Sequence, residues 1–126
     1  MHLGELALRV NDLAAMKAFY RDVVGLEVFS DDLDELVFFK IGDLVDGHPQ
    51  ILGLFDRNAE AGQATTTLDH FAFVIDRADY ESQRERLETL GVSVVPRTFP
   101  HFHWRSLFFT DPEGNTVEFV CFDETV

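Results

Sequence analysis

Glu5-Leu6-Ala7-Leu8-Arg9-Val10, followed by Asn11-Asp12, the segment Leu13 to Val24 and then Gly25, is the stretch whose reading decides the fold. Leu6, Leu8 and Val10 alternate with Glu5, Ala7 and Arg9, which is the period of a half-buried strand. Asp12 offers a side-chain cap, and Leu13, Met16, Phe19, Tyr20 and Val23 recur at helical spacing. Gly25 stands where a helix-ending glycine is expected. Leu26 to Ser30, Leu36 to Ile41 and Gln50 to Phe55 read as three more strands, with Gly42 to Pro49 as a turn region signalled by Asp46-Gly47.

The same unit then occurs again. Leu68 to Ile75 is a strand with Phe71, Phe73 and Ile75 on one face and His70, Ala72 and Val74 on the other. Asp79 to Leu90 is helical, with Tyr80, Gln83, Leu87 and Leu90 near one face, and Gly91 stops it. Val92 to Val95 is a strand, Pro96 to His101 a loop, and Trp104 to Phe109 a strand; Asp111 to Asn115 turns into the last strand, Thr116 to Phe122. Glu5 and His70 are 65 residues apart, Gly25 and Gly91 are 66, and Gly47 and Gly114 are 67. Near-constant offsets at a strand, a helix stop and a turn argue for an internal duplication. The expected fold is α+β: two tandem β-α-β-β-β modules, about 4–56 and 68–123, joined by a polar linker over 57–67. Eight strands would form an open cup with the helices outside. Strand parity then turns Glu5, Ala7, Arg9, His70, Ala72 and Val74 towards the cup; Glu118, Val120 and Phe122 share one parity in the last strand, and Trp104, Ser106 and Phe108 share one in the strand before.

Composition narrows the function classes. The 126 residues suit a single domain, and 13 Phe give a core with few polar groups to satisfy. Ten basic against 23 acidic residues leave a net charge of −13, which repels phosphate backbones, so nucleic acid is not an expected partner. No apolar run approaches the roughly 20 residues that span a bilayer, so no membrane partner is expected either. One cysteine, Cys121, excludes an internal disulfide and fits a cytoplasmic protein.

Glu5, His70 and Glu118 are polar residues in otherwise apolar strand patterns. Two carboxylates and an imidazole converging in a cup would call for a divalent cation. Read from the residues alone, the same three fit a strand start, a hydrogen-bonded histidine and an edge residue equally well. His101 and His103 lie two apart and could share a strand face, as general acid–base groups or as exposed loop histidines. Trp104 and Phe108 read as a stacking wall or as core, and Arg9 as a partner of Glu5 or of an anionic substrate.

The run Glu5 to Leu13 with Phe19-Tyr20-Arg21-Asp22-Val23-Val24-Gly25-Leu26 resembles the opening module of the vicinal oxygen chelate superfamily. That superfamily includes glyoxalase I, extradiol dioxygenases, fosfomycin-modifying thiol transferases and bleomycin-binding proteins. Leu68-Asp69-His70-Phe71 and Phe108-Phe-Thr-Asp111-Pro112-Glu-Gly114-Asn115-Thr-Val-Glu118 resemble its second module, so the likeness covers nearly the whole chain. It implies metal ligands at Glu5, His70 and Glu118, with glutamate at position 5 where histidine is commoner. Glu118 would also take part in catalysis, with His101 and His103, while Arg9, Trp104, Ser106 and Phe108 would contact the substrate. The implied cofactor is a divalent metal, Mn, Fe, Mg, Zn or Ni, and the implied partner a small molecule bound by a homodimer. A fourth ligand known from glyoxalase I would fall, by the glycine register, on Ile51, which cannot ligate. The expected function is a metal-dependent lyase, isomerase or dioxygenase acting on vicinal oxygens. The alternative is a metal-free, bleomycin-resistance-like protein that binds a small molecule or antibiotic.

Overall fold

The computed structural model describes residues 3–45, 47–57, 68 and 70–126, with only the backbone of residues 44 and 45. Asp46 and nearly all of the expected linker lie outside the described residues. The chain divides into two units, Met1–Thr65 and Thr66–Val126. Each is one of the expected β-α-β-β-β modules.

In the first unit β1 (Glu5–Val10), β2 (Glu27–Ser30), β3 (Leu36–Val45) and β4 (His48–Asp56) form a sheet in the order β1-β4-β3-β2. β1 runs parallel to β4, and the other pairs are antiparallel. Helix α1 (Leu13–Ala18) begins where the Asp12 carboxylate accepts from the Ala15 amide at 3.0 Å. From Phe19 the expected single helix widens to i→i+5 hydrogen bonding: residues Phe19–Val24 form a π-helical turn ended by Gly25 in the left-handed region. Met16 and Tyr20 are fully buried, with the Tyr20 ring 6.2 Å from Phe39 of β3. The alternation seen in the sequence holds: Leu8 and Val10 are buried, whereas Glu5 and Ala7 are exposed.

In the second unit β5 (His70–Val74), β6 (Val95–Phe99), β7 (Trp104–Thr110) and β8 (Thr116–Phe122) repeat the pattern in the order β5-β8-β7-β6. Helix α2 (Tyr80–Thr89) buries Tyr80 and Leu87; Leu90, counted in its apolar face, is the exposed C-cap instead. The Tyr80 hydroxyl donates to the Ser106 carbonyl at 3.2 Å, and its ring lies 4.5 Å beneath the Arg105 guanidinium. The helix therefore covers the face bearing Arg105, Leu107, Phe109, Val117, Phe119 and Cys121. Burial pushes the Cys121 thiol pKa up, as expected for an inert buried thiol. The sixth strand differs from its expected position. Val92 to Val94 are irregular, and β6, Val95–Phe99, takes in Pro96 to Phe99 of the stretch read as a loop. β6 is an edge strand, where a missing N–H is tolerated.

The Asp111–Asn115 turn shows why these residue types sit there. The Asp111 carboxylate accepts from the amides of Glu113 and Asn115, both at 2.9 Å, and from the Asn115 side chain at 2.7 Å. Gly114, at φ +85°, takes a backbone conformation that L side chains rarely adopt. This turn fixes where β8 starts, and so which face Glu118 occupies.

Candidate functional site

The face of the second sheet opposite α2 carries the candidate site. Glu118 on β8 is buried, at 6% exposure, although it is a carboxylate. Its Oε1 accepts from the Ser106 hydroxyl at 2.5 Å, and its Oε2 lies 3.3 Å from His70 Nε2. Strand pairing explains the convergence. β5 and β8 are parallel with Ala72 beside Glu118, so His70 lies one step up the same face. β7 and β8 are antiparallel with Phe108 beside Glu118, which puts Ser106 one step away on the other side. The Phe108 ring stands edge-on to the His70 imidazole at 5.8 Å and restricts its orientation. Sequence parity foresaw Ser106 and Phe108 on one face of their strand, and the structure adds Glu118 on that face and the direct link between serine and glutamate.

A carboxylate this enclosed needs positive charge or several donors. Among the described residues Glu118 receives one hydroxyl and faces one imidazole. Two donor atoms 3.3 Å apart can both reach one cation at the ~2.0–2.2 Å ligand distances of first-row metals. These two side chains could therefore both ligate one divalent ion. Within neither unit do three His, Cys, Asp or Glu side chains gather for a metal, among the described residues.

Glu5 belongs to the first unit, at the start of β1, and pairs in register with Ile51. The register corrects the expectation for a fourth ligand. His70 pairs with Thr116 and Glu118 lies beside Ala72; likewise Glu5 pairs with Ile51 and Ala7 with Gly53. Gly53, not Ile51, is thus the counterpart of Glu118. The β3–β4 hairpin runs out to Val45 and His48, so β4 takes six residues from Gly47 to Gly53 where β8 takes four from Gly114 to Glu118, and counting forward from the turn glycine misplaces the strand by two residues. A Cβ at Gly53 would lie 2.9 Å from Glu5 Oε1, 2.9 Å from the Phe55 ring and 3.1 Å from the Phe38 ring. The Glu5 carboxylate occupies the space that a ligating side chain at position 53 would need.

The remaining candidates are placed as follows. Arg9 donates from Nη1 to the Arg57 carbonyl at 3.2 Å. Trp104 lies on the open face of β7, 45% exposed, with the Phe102 ring stacked on it at 4.7 Å. His101 and His103 do not share a strand face. His101 sits in a 3-10 turn, Pro100–Phe102, its ring 4.7 Å from Phe102. His103 follows at φ 56°, and its Nδ1 is 2.8 Å from the Val126 carbonyl. The Pro100 ring and the left-handed residue bend the chain, so the alternation that would have put both histidines on one face does not apply.

Sequence reading missed a network on the helix-covered side. Asp123 accepts from Arg77 Nε at 2.6 Å and from the Thr125 hydroxyl at 2.7 Å, with Arg105 Nη1 at 3.4 Å. The hydrogen bonds from Thr125 and Arg77 hold its carboxyl at about 2. The only signal was an acidic residue ending the last strand.

Three comparisons bear on this geometry. The family model of the Glyoxalase/Bleomycin resistance protein/Dioxygenase superfamily matches residues 2–119. The solved structure of a lactoylglutathione lyase from Agrobacterium tumefaciens is 34% identical with a TM-score of 0.76, over 95% of this chain and 92% of that one. Among related sequences, Escherichia coli YaeR, itself uncharacterised, is 29% identical over 122 residues, 90% of each chain. The glutathione transferase FosA of Serratia marcescens is 25% identical over 116 residues, 92% of this chain and 77% of that one.

Proposed function

The chain belongs to the glyoxalase, bleomycin-resistance and dioxygenase superfamily, and from that premise we propose a metal-dependent enzyme acting on vicinal oxygens of a small molecule. The observation that carries the reading is the enclosed Glu118 carboxylate, 3.3 Å from His70 Nε2. His70 and Glu118 would hold the ion, with Glu5 as the proposed third ligand. Such an ion supplies Lewis-acid polarisation of the two substrate oxygens.

The protein's own groups do the rest. Ser106 donates to Oε1 of Glu118 and leaves Oε2 as the oxygen free to ligate or to accept a proton. Phe108 holds the His70 ring edge-on, so that Nε2 and not a ring face meets the carboxylate. His101, exposed on its turn, is the acid–base candidate that no described hydrogen bond engages, whereas Nδ1 of His103 is committed to Val126. Gly53 leaves the first module without a fourth ligand, which supports an ion with open positions for substrate. Three protein ligands, two of them carboxylates, favour Mn, Mg or Fe(II) over Zn and Ni. The reading includes a homodimer, supported by Val74 on edge strand β5 at 84% exposure, and a cytoplasmic setting, supported by the free, buried Cys121. No helix among the described residues is long and apolar enough to cross a membrane.

The test is thermal unfolding of chelator-stripped protein with each of Mn, Fe(II), Mg, Zn and Ni, followed by turnover assays on vicinal diols and α-hydroxyketones. One ion should raise the unfolding temperature of the native chain and support turnover, with neither effect in Glu118→Gln or His70→Ala. Small-molecule binding indifferent to chelator, with no ion stabilising the protein, would instead establish the metal-free binding alternative.

A further inference from the structure

The open face of the second sheet extends well beyond Glu118. Its rows are fixed by the register. Ala72, Glu118, Phe108 and Val95 form one row; Val74, Val120, Ser106 and Arg97 the next; Phe122, Trp104 and Phe99 the third. Rows on one face are about 6.6–6.8 Å apart, so the third lies roughly 13 Å from Glu118. It is wholly aromatic, and Phe102 stacks on its central Trp104. Phe102 and Phe122 are 52% and 61% exposed. Ring contacts connect this shelf to the candidate metal end: Phe99 to Phe108 at 6.4 Å, and Phe108 to His70 at 5.8 Å.

Between the two ends stands Arg97. It is exposed, and among the described residues it is the one arginine with no hydrogen-bond or ion-pair partner. In a chain of net charge −13, carboxylates to pair with it are plentiful, and the other arginines have found carboxylates, carbonyls or amides. An unpaired guanidinium beside exposed aromatic rings is a receptor for a planar anion: the fork binds a carboxylate in two-point fashion and the rings stack on its aryl part. Exposed apolar patches of this kind mark contact sites. The negative net charge argues against an anionic membrane as the occupant.

We propose that Arg97 and the Phe99, Phe102, Trp104 and Phe122 rings form a binding subsite for the aryl carboxylate portion of the substrate. The near end of that substrate then reaches Glu118 and His70, a placement that rests on the metal reading above. The substrate class is accordingly an elongated aromatic acid with vicinal oxygens roughly 10 Å from its aryl group.

Trp104 is the sole tryptophan, so its emission reports on the shelf directly. The experiment titrates full-length protein, in excess chelator, with 2-naphthoate, the uncharged 2-naphthamide and cationic 2-naphthylmethylammonium. Calorimetry gives affinities, and Trp104 emission confirms the place of binding. Naphthoate should bind saturably and perturb Trp104, about tenfold or more tightly than either analogue. Arg97→Ala should remove that preference, Arg97→Lys should restore part of it, and Trp104→Leu should weaken all three probes. Equal affinity for the three probes, tighter binding of the cation, no saturable binding, or an unchanged preference in Arg97→Ala would overturn the subsite. Glu118→Gln should leave naphthoate binding intact. Failure to take up metal with naphthoate selectivity preserved would sink the metal reading alone; metal uptake without selectivity would sink this one alone.

Discussion

At the level of single residues, alternation within strands made the site legible. Phe108 and Ser106 share a face because successive side chains alternate, and that much is written in the sequence. The hydrogen bond from Ser106 to Glu118 is not, because it depends on which strands are neighbours. Groups that orient a metal ligand commonly contribute 10–100-fold in affinity. Ser106→Ala should therefore weaken metal binding about tenfold while leaving the fold intact, as read by metal titration beside circular dichroism. Of the two readings of the histidines the exposed-loop one fits, for a local reason: Pro100 and the left-handed His103 bend the chain, so His101 and His103 share no strand face. His103→Ala should lower thermal stability more than His101→Ala, since only His103 ties the turn to Val126. Asp123 makes a prediction in pH. Its folded-state carboxyl titrates at about 2, below the ordinary 3.8, so the folded chain releases that proton more readily than the unfolded one. Its stabilisation is complete above about pH 4 and is lost as pH falls through 2. Thermal unfolding of Asp123→Asn should show a deficit at neutral pH that closes towards pH 2.

Among the elements, the helices and most strands were readable because Asp12, Gly25 and Gly91 punctuate strong apolar periods. Two features were not. β6 was displaced in the reading because Pro96 counts against a strand, and only sheet order reveals that β6 is an edge that tolerates it. The equivalence of Gly53 with Glu118 was hidden because the β3–β4 hairpin is longer than its β7–β8 counterpart, which no count of residues from a turn can detect. Gly53→Ala should lower stability by about 1–3 kcal/mol through crowding of Phe55 and Phe38. It should also displace Glu5 and weaken metal binding, whereas the larger change Val95→Ala, at an exposed edge position, should do neither. Asp111→Ala strips two amides and one side-chain amide of their acceptor. Denaturant titration should record a loss of about 1–3 kcal/mol.

For the molecule as a whole, the duplication is the most legible feature, since it shows in offsets of 65 to 67 residues without any contact information. It also explains the asymmetry of the two sheets. One module keeps a histidine and a glutamate on its open face; its twin has Glu5 and Gly53 in the matching places. Binding to the folded state alone raises stability in proportion to RT ln(1 + [L]/Kd). Chelation should accordingly lower the unfolding temperature of the native chain and leave that of Glu118→Gln unchanged.

The central claim, that His70 and Glu118 ligate one cation, is met most directly by titrating stripped protein with Co(II) and following the visible absorption of the ion. The account predicts saturation at about one ion per chain, with bands that disappear in His70→Ala and in Glu118→Gln. Identical spectra and affinities for the native chain and both variants would contradict it.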